Sequence, residues 1–501
     1  MKERYRPRSC VRPVVAASFA GSMLIGRLLP GSSRTWLARV FVTGAFAAGS
    51  VGCGSDTLKG SLPNGATDPE GAVTWNRDVA PIVTKKCVGC HQAGGIAPMT
   101  LADYGNAAHY AGKMLEQTQA GTMPPWGAQT TDECSPPFGF KDDPRLTADE
   151  QALLEAWVDQ GMPEGVKPTR ALPRPASNAL EHPDQTLTIP SSVEIAGTDD
   201  RFVCFVLDPG NAKDRYLAAT QINPGNPAIV HHVLIFGDPE NQSADLADAH
   251  GQYDCFGGPG LGAPLQLLGA WAPGGVPSVM PPGVGLQLTG GSKIVIQVHY
   301  HPTRVKPETD ASTSVDLVYI DSPMKAGMLS LVGNFGERDL ELAGGKGYGL
   351  LPGPDDPASG PAFLIPPNAT EHTETERFLI RSQQGVSQYR VFGVGTHMHY
   401  VGQDMKIEVE HEDGSKDCLL QTPKWDFNWQ RVYYYDTPLE DAPVVRPGDV
   451  LTMRCTYNNS MANPFVRTAL GQQSIDTPVD VHLGESTLDE MCLGAFGVVL
   501  E

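Results

Sequence analysis

Lys293-Ile294-Val295-Ile296-Gln297-Val298-His299-Tyr300 is the run on which the fold turns. It is short, mostly apolar, and closed off by Gly290 and Gly291 before it and Pro302 after it. That reads as a β-strand. The same kind of run returns in Arg201-Phe202-Val203-Cys204-Phe205-Val206 and in Tyr389-Arg390-Val391-Phe392-Gly393-Val394. From about Ala171 onward such runs recur, punctuated by Gly and Pro, which predicts an all-β region of sandwich or jelly-roll type. Its span of about 330 residues is large for one sandwich and right for two. We place them at 171–322 and 323–501. The Gly- and Pro-rich stretch from Gly344 to Pro367 reads as a long insertion.

Composition agrees. The chain has 501 residues, 55 of them Gly and 43 Pro, which excludes a coiled coil or long helical repeat. Charged residues are 19% and hydrophobic ones 41%, a globular balance. The net charge of −20 argues against a nucleic-acid partner. Setting aside the first fifty residues, which carry eight Lys/Arg and one acid, leaves −27 on the rest.

Those first residues form a basic region followed by the apolar stretch Val40 to Gly52 and then Cys53. This is the layout of a bacterial secretory signal over 1–52. It resembles a lipoprotein signal with Cys53 as the lipidated residue, although Ser50 stands where such signals usually carry Leu. Met1 and Met23 are both candidate starts. A membrane-spanning anchor is the competing reading, but the apolar runs fall short of the ~20 residues needed to span. Either way the working chain is exported, to the bacterial cell envelope or beyond, and 53–73 reads as a linker.

Residues 74–165 carry Cys87-Val88-Gly89-Cys90-His91, the attachment pattern of a c-type haem. Two thiols add to the porphyrin vinyl groups and the next residue offers an imidazole to the iron. A chance CxxCH or a zinc half-site is the alternative, and no second CxxC follows to support it. Trp75–Val83 and Leu146–Val158 read as helices, the second capped by Thr147 or Asp149. Gly121-Thr122-Met123-Pro124-Pro125-Trp126 offers a thioether 32 residues after His91. The unit resembles a small all-α class I cytochrome c, which implies His91 and Met123 as axial ligands, with Met99 as the rival for the second place.

The thirteen histidines cluster. His231 and His232 are adjacent, His299 and His301 flank Tyr300, and His397 and His399 flank Met398. Residues i and i+2 of a strand share a face, so His397 and His399 can grip one metal. Adjacent His231 and His232 can do so only at a bulge or a strand end. Met491, in Asp489-Glu490-Met491-Cys492, adds a thioether. A His-plus-Met set is soft and selects copper, particularly Cu(I). No cysteine set suggests blue copper, and no HExxH suggests a zinc protease.

The order His-His, Gln-Val-His-Tyr, Thr-His-x-His and Asp-Glu-Met-Cys resembles the ascorbate-dependent type II copper monooxygenases, the peptidylglycine α-hydroxylating and dopamine β-monooxygenase family. The resemblance covers about Leu187 to Leu500. It implies two jelly-roll-like sandwiches, each with one copper, facing a solvent-filled cleft. One copper would take His231, His232 and His299, with His301 spare or behind them. The other would take His397, His399 and Met491, and carry the O2 chemistry. It also implies disulfides Cys204–Cys255 and Cys455–Cys492. Cys134 and Cys418 are left over, and a bond between them would tie the cytochrome unit to the second sandwich.

The activity so implied is hydroxylation of a C–H bond of a small organic molecule with O2. Two electrons per turnover would come from an ascorbate-like reductant or a redox protein, here through the fused haem. The animal peptide hydroxylases of that family carry an Arg two residues before the first histidine of their HxH, and Gly395 stands there. C-terminal glycine peptides are therefore poor candidate substrates. Two other classes compete: a non-catalytic haem and copper electron-transfer lipoprotein, and a structural sandwich protein. The second leaves the haem motif unexplained.

Overall fold

In the computed structural model the described residues are 68, 70–93, 97–168, 179–256, 258–262, 265–272, 275–303, 305–334, 347–486 and 488–501. The signal segment, Cys53 and most of the linker lie outside them. The described chain is mainly β, with a small helical part near its N-terminal end.

The helical part holds Trp75–Val79 running into Ala80–Lys86, then Tyr104–Gln119 and Ala148–Asp159. Pro81 sits in the first turn of its helix, where its missing N–H costs nothing. Thr147 caps the last helix and Glu150 reaches back to its N–H, a complete capping box. The middle helix was not read from the sequence, because Gly105 and Gly112 and many polar residues dilute its pattern. Asp103 starts it by accepting the N–H of Asn106. The helices close on Val79, Val83, Leu101, Ala107, Ala111, Leu154 and Trp157.

Residues 126–141 depart from the expected compact unit 74–165. They leave the helices and pack into the second sandwich, whose core includes Trp126 and Ala128, with Phe138 and Phe140 against it. Gln129 N–H donates to Gln421 O, and Lys141 N–H to Tyr434 O. Cys134 bonds Cys418 at a Cα separation of 5.3 Å.

The first sandwich has two antiparallel layers. One joins Gln185–Thr188, Ser314–Tyr319, Arg215–Asn223 and Val284–Leu288. The other joins Gln266–Trp271, Val230–Asp238, Lys293–Tyr300, Arg201–Leu207 and Gln252–Asp254. Seven of the eight residues of Lys293–Tyr300 are buried, because the strand is central and covered on both faces. That explains its near-continuous apolar sequence. Cys204 and Cys255 are bonded in this layer.

Strand Lys325–Gly333 bridges the sandwiches. It touches Val284–Leu288 and Gln266–Trp271, and pairs along its length with Leu493–Leu500. Leu493–Leu500 pairs in turn with Tyr389–His397. The facing layer of the second sandwich runs Gly349–Leu351, His372–Leu379, Val450–Tyr457, Gly402–Glu410 and Lys416–Thr422. The described part of the expected insertion at 344–367 is thus not wholly irregular: Gly349–Leu351 and Leu364–Ile365 both pair. Cys455 and Cys492 are bonded, completing three disulfides among the described cysteines.

Candidate metal centre

In the paired strands Val230–Asp238 and Lys293–Tyr300, His299 stands opposite His232, but Tyr300 stands opposite Val230. His231 is the extra residue of a β-bulge. The bulge lets two adjacent histidines join His299, which a regular strand forbids. Ligand atoms of His231, His232 and His299 all lie within 4.8 Å of one another. The Nδ1 atoms of His232 and His299 are 3.1 Å apart. That is about the spacing of two nitrogens bound ~2.0 Å from a common ion.

Behind them, Asp200 holds His301 Nδ1 at 2.7 Å and lies 3.3 Å from His299 Nε2. His301 thus shares a carboxylate with His299. Burial, aided by the neighbouring His299 and His301, pushes His231 down to about 3, and burial takes His232 well below its ordinary value. Both are therefore neutral near pH 7, the form that binds metal. His231 Nδ1 is buried with no hydrogen-bond partner, as a nitrogen kept for an ion would be.

A second set lies at the end of strand Tyr389–His397. His399 falls just past the strand end rather than two residues along it, so strand alternation is not what pairs it with His397. The two rings are 5.2 Å apart and nearly perpendicular. His397 Nδ1 donates to Gln430 Oε1 at 2.7 Å, and His399 Nδ1 to the Asp489 carbonyl at 2.9 Å. Both partners can only accept, so each Nδ1 carries the proton and each Nε2 keeps its lone pair. Burial lowers His397 and pushes His399 down to about 3.

Glu490 ties this set together. Its fully buried carboxylate accepts the N–H of His399, of Val401 at 3.3 Å and of Met491 at 2.8 Å. Burial pushes it up to about 8, against the pull of those donors. Tyr457 O–H donates to the Met491 carbonyl at 2.8 Å, and the Cys455–Cys492 bond fixes the next residue. Met491 is thus held beside the His399 turn.

Phe427 connects the two sets. Its ring stacks on His231 at 4.9 Å and meets His399 edge-on at 6.2 Å. Where the sequence resemblance implies a solvent-filled cleft between the centres, this structure inserts a buried aromatic ring. Asp200, Phe427, Gln430 and Glu490 were not singled out from sequence. The run Trp425-Asp426-Phe427-Asn428-Trp429-Gln430 carried the available signal, an aromatic at every second position in a loop.

In the helical part, Cys87 and Cys90 are free thiols, whereas the other six described cysteines are bonded. Burial pushes Cys87 up to about 12. His91 Nδ1 lies 3.2 Å from the Met99 carbonyl, which leaves Nε2 for a ligand bond.

Two histidine sets, His231, His232 and His299 on one side and His397 and His399 on the other, with the Met491 backbone tied beside the second, are the candidate metal centres. Comparison with known proteins is more particular. Residues 358–494 match the family described as copper type II ascorbate-dependent monooxygenase, C-terminal domain. Dopamine beta-hydroxylase of Canis lupus familiaris is 23% identical over 351 residues, 68% of this chain and 52% of that protein. The Rattus norvegicus protein of the same name is 25% identical over 320 residues, 61% of this chain and 47% of that one. The chain spans about half the length of these relatives. Together they support the copper type II monooxygenase family. Among solved structures, the major capsid protein P2 of bacteriophage PM2 aligns at a TM-score of 0.23 with 11% identity, over 63% of this chain and 97% of that one.

Proposed function

We propose that this chain is an exported copper monooxygenase that hydroxylates a C–H bond of a small organic molecule with O2 and receives electrons through its own c-type haem. The observation that carries the reading is the pair of histidine sets brought to either side of Phe427. His231, His232 and His299 would hold one copper, and His397, His399 and Met491 the other. The donor sets fit: imidazole nitrogens in both, with the backbone of the thioether residue Met491 tied beside the second by Glu490. Bound copper supplies O2 activation and one-electron cycling.

The protein's part is positional. Gln430 and the Asp489 carbonyl orient His397 and His399 and fix their tautomers. Glu490 holds Met491 and the His399 turn in one register. Phe427 keeps bulk water from between the sets. Cys87, Cys90 and His91 would carry the haem, and Met123 would supply the thioether ligand. The Met99 carbonyl meets His91 Nδ1, so that backbone runs behind His91 and favours Met123 for the far side.

Gly395 sets a limit on substrate. A Cβ there would come within 2.9 Å of the Arg431 carbonyl and 3.3 Å of Val432 Cα. No long cationic side chain fits, so a peptide carboxylate finds no partner at that position. The disulfides agree with an oxidising compartment. No described helix is long and apolar enough to cross a membrane, and attachment through a lipid on Cys53 is part of the proposal.

O2 consumption tests the reading. Copper-loaded protein given a one-electron reductant and a metabolite extract under labelled O2 should place one labelled oxygen atom in an organic product. Haem and copper that cycle with no labelled product would instead assign the chain to electron transfer alone.

A further inference from the structure

The segment that leaves the helical part arrives at the back of one metal set. Trp126, three residues after Met123, is only 7% exposed and belongs to the core of the second sandwich. Its ring meets Tyr433 edge-on at 4.9 Å, and the Arg431 guanidinium lies 5.2 Å from its centre. Gly127 N–H donates to the Tyr433 hydroxyl at 3.1 Å. So the Arg431 guanidinium packs on a buried indole that lies three residues after Met123. The residue before it, Gln430, holds His397 Nδ1 at 2.7 Å. The loop is braced from its other side by the bond from Gln430 Nε2 to the Phe427 carbonyl, 3.1 Å.

We propose that Trp126, Arg431 and Gln430 form the electron-input route of this chain, joining the Met123 end of the helical part to His397 rather than to the His231, His232 and His299 set. The inference rests on the haem and copper readings above and adds the direction of flow and the residues that carry it. The contacts of 126–141 fall on Lys406, Cys418, Gln421, Arg431, the run Tyr433 to Asp436 and Arg454. All of these belong to the second sandwich, which also holds His397 and His399. The Cys134–Cys418 bond and the Phe140–Tyr435 bridge make the docking intramolecular and permanent. Each transfer moves one electron: a ferrous haem becomes ferric, and a cupric ion at the His397 end becomes cuprous. No bond is made or broken and no proton is required. A soluble one-electron donor then re-reduces the haem, twice per turnover. The set around His231 is then filled from the His397 end, across Phe427.

The test uses the full chain with haem and both coppers, oxidised and under argon. A laser pulse photoreduces the haem, and the ferrous band is followed as it decays. The expected decay is first order, independent of protein concentration, and accompanied by loss of the cupric signal at the His397 end. Arg431→Met should slow it several-fold with haem bands and copper content unchanged, and Gln430→Leu should slow it when compared at copper content matched to the parent. Trp126→Phe, which keeps an aromatic ring in the core, should slow it less than Trp126→Leu. His299→Ala should keep the fast phase and His397→Ala should lose it. Decay that depends on protein concentration, rates unaltered in both loop variants, or a fast phase lost in His299→Ala and kept in His397→Ala would overturn the route while leaving the haem reading intact. Protein made with haem-attachment machinery that carries no covalent haem would overturn both, and is seen before any kinetics.

Discussion

Replacing Glu490 by alanine should loosen one metal set and spare the other. The carboxylate is fully buried and accepts backbone N–H groups from His399, Val401 and Met491. Alanine orphans those three donors at ~1–3 kcal/mol each. Removing a buried carboxyl, mostly protonated near pH 7 because burial pushes it up to about 8, also returns the cost of burying a polar group, so the net loss should sit near the lower end, about 3–5 kcal/mol. For a unit the size of the second sandwich, at ~2–4 °C per kcal/mol, its melting transition should fall by about 10 °C. Glu490→Gln keeps one accepting oxygen and should lose less, about 1–3 kcal/mol. Because His399 and Met491 hang from the same carboxylate, copper affinity at that set should drop ~10–100-fold. Affinity at His231, His232 and His299 should hold. Calorimetry with copper competition reads both. If Glu490→Ala melts with the parent and keeps both affinities, the carboxylate is not the tie described.

Two further outcomes follow from the geometry. The Cys134–Cys418 bond closes a span of 284 residues, and opening it in a Cys134→Ser, Cys418→Ser double variant should cost about 2–5 kcal/mol by calorimetry. His411 is pulled down by burial, but its bonds to Asp417 and Asp449 outweigh that and raise it above the ordinary histidine value. A raised folded-state value stabilises below the unfolded value of ~6.5, and that stability is lost as pH rises through the folded one. NMR titration of His411 should show the raised midpoint, and His411→Asn should flatten the slope of melting temperature against pH in that window.

Much of this was legible because it rests on local chemistry. The run 293–300 gave a buried strand, and Cys87-Val88-Gly89-Cys90-His91 supplies the proposed haem site by its spacing. The three histidine pairs gave the candidate ligands, and the structure supplied the bulge that makes His231 and His232 compatible. What stayed hidden depends on contacts between distant segments. Asp200 meets His299 across about a hundred residues, and Glu490 meets His399 across ninety-one. Neither carboxylate differs in sequence from an exposed one. Residues 126–141 read as part of the helical unit because no local signal says which core a Trp will join. Phe427 is a similar case: an aromatic in a loop shows its role only when two sandwiches bring histidines to both faces.

Copper stoichiometry tests the central claim most directly. Metal analysis and electron paramagnetic resonance on the copper-loaded chain, with His299→Ala and His397→Ala alongside, should give two coppers in the parent and one in each variant. Each variant should lose a different cupric signal. Fewer than one copper per chain in the parent, or a count that neither substitution changes, would contradict it.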